Sequence, residues 1–231
     1  MTTTHDTATP IEIEQRWTLK DGEGEKLKAS AENSHLIIQG YLGDTVTVSG
    51  TQRKTHCEVI VADDRDMATL QISGEGVDAT PLLSIGIPKA EGKSLKGSGL
   101  LNHMRLRCIQ DHKTNELKTV ITIKGQKING EAPEYEYATP VKESLNLMLT
   151  DCREKMIQKI RYNIPGGVEL DYFQKQNLYL AEREVDTQEN MLKELPEWAA
   201  EDITNGGGYS NYSMAGEDPL AVMTLTSFKD N

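Results

Sequence analysis

Apolar and polar residues alternate along most of this chain, as they do in strands. From Pro10, PIEIEQRWTLK places Ile11, Ile13, Trp17 and Leu19 on one side and Glu12, Glu14, Arg16 and Thr18 on the other. DGEGEKLKASAE reads as a turn or a short helix, and HLIIQGYLGD as a second strand. TVTVSG, CEVIVAD and ATLQISG are short strand signals, followed by the Gly/Lys/Ser-rich stretch EGKSLKGSG. Strands resume in HMRLRCI, LKTVITIKG and PEYEYA. PVKESLNLMLTDCRE predicts a helix, with Pro140 suited to its first turn and Leu145, Met148 and Leu149 on one face. KMIQKIRYNI, GGVELDYF and LYLAEREV are further strands, and TQENMLKEL is a short helix capped by Thr187. Residues 1–9 predict a disordered polar leader, and the end of the chain is mostly turns, with a short helix near NYSMAGE.

Residues i and i+2 of a strand share a face. In strand after strand both are charged: Glu12/Glu14 with Arg16, Arg105/Arg107, Glu134/Glu136, Lys159/Arg161, Glu169/Asp171 and Glu182/Glu184, with Lys124 ending another strand. Each pair alone is the wet face of an ordinary half-exposed sheet. As a set the pairs differ from such faces, because signs are alike within a strand and mixed between strands. If these faces line a barrel, the interior is polar and the apolar faces look outward, where helices must cover them. The cations could then neutralise a polyanion, and the carboxylates could hold a hard divalent ion.

Composition narrows the partners. A formal net charge of −11 argues against a chain that coats duplex nucleic acid or anionic membrane through a general basic field, while leaving room for a local basic pocket. The three cysteines, Cys57, Cys108 and Cys152, are scattered, which suits a reducing compartment. With no secretory signal and no apolar run of membrane length, a cytoplasmic setting is expected. The AEGKS segment lacks the glycine spacing of a phosphate-binding loop, and the five histidines show no ligand spacing.

Nine stretches, in order, resemble the CYTH superfamily, the triphosphate tunnel metalloenzymes. They are EIEQR, IIQGYL, RLR, TIKG, EYEY, KIRY, ELDYF, LAEREV and LPEWAAEDITNGGGYSNYSMA. The pattern is most similar to the compact bacterial inorganic triphosphatases. The resemblance implies an α+β fold: a closed eight-stranded antiparallel tunnel with flanking helices, interrupted by a β-rich insertion at about 44–102. The tunnel domain would span 10–218, with a C-terminal tail over 219–231.

It also implies roles. Glu12, Glu14, Glu182 and Glu184, with Asp171, would be metal-associated and hold Mg²⁺ or Mn²⁺. Arg105, Arg107, Lys124, Lys159 and Arg161 would grip phosphates. Lys159, Glu136 and Arg16 are the catalytic candidates, and Glu136 and Asp171 could instead orient the cations or a water. Arg16 stands where the family's signature has Lys; its guanidinium keeps the charge but is a poor base. The implied activity is metal-dependent hydrolysis of a small triphosphate, foremost inorganic tripolyphosphate. The alternatives are a nucleotide or RNA 5′-triphosphatase, a class IV adenylate cyclase, and a non-catalytic polyphosphate or nucleotide binder. A homodimer is compatible with the sequence. The insertion is a lid, a partner surface, a substrate selector or a decorated loop.

Overall fold

The computed structural model describes residues 11–42, 47–52, 56–62, 69–75, 101–125 and 132–230. Among these residues twelve strands and four α-helices follow in the order β1 (Ile11–Leu19), α1 (Glu23–Ala29), β2 (Asn33–Tyr41), β3 (Thr47–Gln52), β4 (His56–Ala62), β5 (Thr69–Glu75), β6 (Leu101–Asp111), β7 (Leu117–Gly125), β8 (Ala132–Thr139), α2 (Val141–Asp151), β9 (Met156–Ile164), β10 (Val168–Phe173), β11 (Leu178–Val185), β12 (Ala199–Asp202), α3 (Asn211–Met214) and α4 (Pro219–Lys229). The proposed leader, the Lys/Ser/Gly-rich stretch and the AEGKS segment lie outside the described residues.

The architecture is α+β around a large antiparallel sheet. That sheet has nine strands rather than the expected eight, in the order β11-β10-β9-β2-β6-β7-β8-β1-β12, and β1 pairs additionally with β11. One edge of β1 lies against β11 from Ile13 to Thr18. The other edge is shared: β8 takes Ile11 and Glu12, and β12 takes Trp17 to Leu19. β12 has no strand signature in its sequence, AAED. It is ordered by pairing with the end of β1.

One face of the sheet carries the main core. Ile38 on β2, Leu106 and Cys108 on β6, Ile121 and Ile123 on β7 and Tyr137 on β8 pack with Leu145 and Met148 of α2 and Ala221 and Leu225 of α4. Each such buried aliphatic side chain is worth roughly 1.5–3 kcal/mol. Residues 219–229 are therefore a packed helix rather than a tail. Asp218 caps it by accepting from the Ala221 N–H, Pro219 follows at the first turn, and Ala221 and Leu225 are one turn apart. The helix expected after Thr187 shrinks to a 3-10 turn at Gln188–Asn190, and Thr187 makes no side-chain cap. Every residue of that turn is exposed, so no apolar face stabilises a longer helix.

Strands β3, β4 and β5 form a separate antiparallel sheet within the expected insertion, matching its three strand signals. Val61 and Ile72 are buried in the main core cluster, and β5 lies against α2 and β8. This part of the insertion is built into the core. No helix among the described residues is long and apolar enough to cross a membrane.

Gly40 shows how closely β2 and α2 meet. A Cβ there would lie 2.5 Å from Cys152 Cβ and 2.9 Å from its Sγ. Overpacking of this kind costs about 1–3 kcal/mol. Gly40→Ala should accordingly lower the thermal midpoint by roughly 2–12 °C at about 2–4 °C per kcal/mol, as scanning calorimetry would register.

Candidate active site

Cross-strand partners share a face, so the pairing register carries one face from strand to strand. Glu14 is opposite Glu184, and Arg16 is opposite Glu182. Glu182 faces Glu169 on β10, and Asp171 faces Arg161 on β9. Arg161 faces His35 on β2; four and six residues on, Gln39 faces Arg107 and Tyr41 faces Arg105 on β6. Arg105 faces Thr122 on β7, which faces Glu136 on β8. Lys124 faces Glu134, and Glu12 faces Ala132, two residues before Glu134. Every candidate site residue of the sequence therefore falls on one face, opposite the one that packs on α2 and α4. The side chains of Glu12 and Lys124 lie outside the described residues, so for these two only the place in the register is given.

Part of this face is buried and part is open, with Glu136 and Glu184 exposed. Arg16, Arg105, Lys159, Asp171 and Glu182 are all buried, with Asp171 at 0% and Lys159 at 3% exposure. Glu14, Arg16, Glu182, Arg161, Asp171 and Lys159 form a continuous ion-pair network across β1, β11, β10 and β9. Arg16 Nη2 lies 2.8 Å from Glu182 Oε1 and donates to the Tyr209 carbonyl at 2.9 Å, while its Nε lies 3.5 Å from Glu14. Arg161 grips Asp171 with two donors, Nε to Oδ1 and Nη2 to Oδ2, each at 2.8 Å. Its Nη2 also reaches Glu182 Oε2 at 2.8 Å, and its Nη1 pairs with Glu169. Lys159 Nζ donates to Asp171. A second group stands on β6 to β8, where Arg105 donates to Glu134 at 2.6 Å. Arg107 and Thr122 both donate to Glu136, at 3.2 and 3.1 Å.

The electrostatics show that the two groups sense each other. Burial and the charge of Arg105 bring the Arg107 pKa down to about 10 against the pull of Glu136, and Arg161 adds to the lowering. Lys159 is pushed below its ordinary value by burial and by Arg161, with Asp171 and Glu182 opposing. Burial alone would raise Asp171 and Glu182. The cations overcome it, Arg161 and Lys159 for Asp171 and Lys159, Arg161 and Arg16 for Glu182, and both carboxyls stay below the usual range. Glu169 is raised by burial, which outweighs Arg161.

Two consequences bear on chemistry. The buried guanidinium N–H groups Arg16 Nε and Arg105 Nε have no hydrogen-bond acceptor among the described residues. Orphaned cationic donors of this kind suit an anion rich in oxygen. On the acidic side, Lys159 and Arg161 donate to both oxygens of Asp171 and Arg161 donates to Glu182 Oε2, while Glu182 Oε1 lies near Arg16 without a hydrogen bond. Glu14, in contact with Arg16, stands directly opposite Glu184, with Glu12 two residues along in the register. Among the described residues no group of three or more His, Cys, Asp and Glu is placed to hold a metal ion, the Glu12 side chain being outside that set. Carboxylate oxygens such as those of Glu14 and Glu184 are the donor type that Mg²⁺ or Mn²⁺ takes.

Charge spacing overlooked Gln39 and Tyr41, which are neutral. It also gave no hint of the Tyr209 carbonyl, which reaches Arg16 from 193 residues away.

The comparisons with known proteins add to this geometry. No family model matches the chain. An inorganic triphosphatase of Acetivibrio thermocellus is 31% identical over 102 residues, which is 42% of this chain and 65% of that protein, just under two thirds of its length. Over those residues the chain is similar to an inorganic triphosphatase, in keeping with its resemblance to the CYTH superfamily. Among solved structures, the PH1819 protein of Pyrococcus horikoshii OT3 is 14% identical, with a TM-score of 0.42 over 95% of this chain and 88% of that one. A Hippeastrum adenylyl cyclase with a dominant triphosphatase activity is 12% identical, with a TM-score of 0.34 over 78% of this chain and 80% of its own. At those scores neither likeness carries weight. Within the CYTH pattern, the RLR, KIRY, ELDYF and LAEREV stretches of this chain each contribute charged side chains to the shared face.

Proposed function

We propose that this protein hydrolyses a small triphosphate with the help of a divalent cation, and that its preferred substrate is inorganic tripolyphosphate. The observation that carries this reading is the partly buried face on which cations from β1, β6 and β9 converge, with orphaned N–H groups on Arg16 and Arg105. The triphosphatase named among the relatives supports it.

In this reading the eight strands β1, β11, β10, β9, β2, β6, β7 and β8 close into a tunnel. The support is the double pairing of β1, to β11 over six residues and to β8 over two. Arg105, Arg107, Lys124, Lys159 and Arg161 line the phosphate path, and their forked or point-charge donors offset negative charge on the phosphoryl oxygens. Glu12, Glu14 and Glu184 would hold Mg²⁺ or Mn²⁺, which would supply further neutralisation of the phosphate charge. Asp171 acts as an orienting group, because Lys159 and Arg161 donate to both its oxygens, and Glu182 ties Arg16 to Arg161. Asp171 fixes Lys159 and Arg161, so that Lys159 positions the attacking water. Glu136 holds Arg107 and Thr122, and Arg16 stays a fixed cation tied to Glu182. The water oxygen attacks the terminal phosphorus in line as the bond to the bridging oxygen breaks. Rate enhancement comes from positioning and preset charge.

A substrate panel tests the reading. Phosphate release from tripolyphosphate, ATP and a 5′-triphosphorylated oligonucleotide, with Mg²⁺, with Mn²⁺ and with neither, should show the highest kcat/KM on tripolyphosphate and none without metal. Faster turnover of ATP or of the oligonucleotide would redefine the substrate. Cyclic AMP formation would move the protein to the cyclases, and tight tripolyphosphate binding without turnover would make it a binder.

A further inference from the structure

On the charged face one strand supplies neutral groups. Gln39 of β2 is 1% exposed and stands opposite Arg107, and Tyr41, two residues on, stands opposite Arg105. Gln39 Nε2 donates to the Tyr41 hydroxyl at 2.5 Å, and Tyr41 also hydrogen-bonds Arg105. Gln39 Oε1, by contrast, is buried and has no hydrogen-bond partner among the described residues. An unsatisfied buried amide oxygen costs about 1–3 kcal/mol. No other described group on this face explains retaining that cost.

A half-turn of the carboxamide changes the unpaired end from an acceptor to a donor. The two amide ends are nearly identical in shape, and only their partners decide which is which. After the turn the Tyr41 O–H donates to Gln39 Oε1, and the Arg105 guanidinium donates to the Tyr41 oxygen. The unpaired end of the amide is then its Nε2 donor, which only an acceptor entering between the cations, such as a phosphate oxygen, would satisfy. A leucine of similar size at position 39 would pack as well and cost nothing in polarity. Retention of an amide is therefore informative.

We propose that Gln39 is a direct substrate-binding residue that donates its side-chain N–H to a phosphate oxygen, and that Tyr41 is a positioning residue linking it to Arg105. This rests on the triphosphate reading above. A neutral donor beside Arg105 and Arg107 adds a directional bond without more positive charge, in a place where Arg105 already lowers the Arg107 pKa. It would recognise the phosphate chain rather than any group attached to it.

The test is tripolyphosphate binding by titration calorimetry, together with KM and kcat, in the wild type, Gln39→Leu, Gln39→Glu and Tyr41→Phe, each with its thermal midpoint. Gln39→Leu should raise Kd and KM about tenfold, equivalent to about 1.4 kcal/mol, with an unchanged or higher thermal midpoint. Gln39→Glu, which places a carboxylate against phosphate, should weaken binding roughly 100-fold. Tyr41→Phe should lose affinity by less than Gln39→Leu. Wild-type affinity in Gln39→Leu would overturn the assignment, as would a fall in its stability with affinity unchanged. If the wild type neither binds nor cleaves tripolyphosphate, the triphosphate reading fails on that measurement alone and takes this one with it.

Discussion

The double variant Glu14→Gln, Glu184→Gln should fold at least as well as the wild type and lose metal-dependent turnover by a factor of 1,000 or more, a loss of about 4 kcal/mol in transition-state stabilisation. The two carboxylates stand directly opposite each other on β1 and β11. Like charges in that arrangement repel, and each such cross-strand contact costs roughly 0.2–1 kcal/mol. Neutral amides remove the repulsion and keep the shape, so the thermal midpoint should hold or rise slightly. What disappears is the anionic oxygen set suited to a hard cation. Mn²⁺ binding followed by electron paramagnetic resonance should therefore fall away together with phosphate release. If the variant keeps both, the cation lies elsewhere. If it unfolds, Glu14 and Glu184 serve structure through their neighbours, including the Arg16 contact at 3.5 Å.

The sequence makes the strands legible because alternation is local, and charge at i and i+2 marks one face of each. It could not say that the faces of different strands coincide. That depends on register, in which a slip of one residue on β9 would send Lys159 and Arg161 to the side that packs on α4. Nor could spacing divide the acidic residues by role. Glu182 and Glu184 look equivalent in LAEREV, yet the first lies between two guanidinium groups and the second opposite Glu14. Gln39 escaped notice for a related reason. Its neutrality excluded it from a count of charges, and its lack of a partner for Oε1 is visible only once its neighbours are placed. The ninth strand and the last helix were missed differently. β12 takes its form from its partner, and α4 is specified by a cap and two spaced apolar residues that a short turn-rich ending obscured.

Asp171→Ala should destabilise the fold by about 3–5 kcal/mol, because removing one partner of a buried charge cluster leaves the others uncompensated. Asp171 is fully buried and holds both Lys159 and Arg161. At about 2–4 °C per kcal/mol for a chain of this size, the thermal midpoint should fall by roughly 6–20 °C. Turnover of whatever remains folded should fall as well, since Lys159 loses the group that orients it. The pH dependence separates this from a simple packing loss. Asp171 and Glu182 are held below their ordinary values in the folded state. A carboxyl with a depressed folded pKa contributes stability that is fully present above its unfolded pKa, near 4, and is lost as pH falls through the folded value. The wild type should thus stay level down to about pH 5 and then weaken steadily as the medium becomes more acid. Asp171→Ala should start lower and show a shallower acid slope, carried by Glu182 and the other depressed carboxyls, Glu25, Asp111 and Asp202. Equal slopes in denaturant titrations at pH 7, 5, 4 and 3 would show that the Asp171 ion pairs do not hold these strands together.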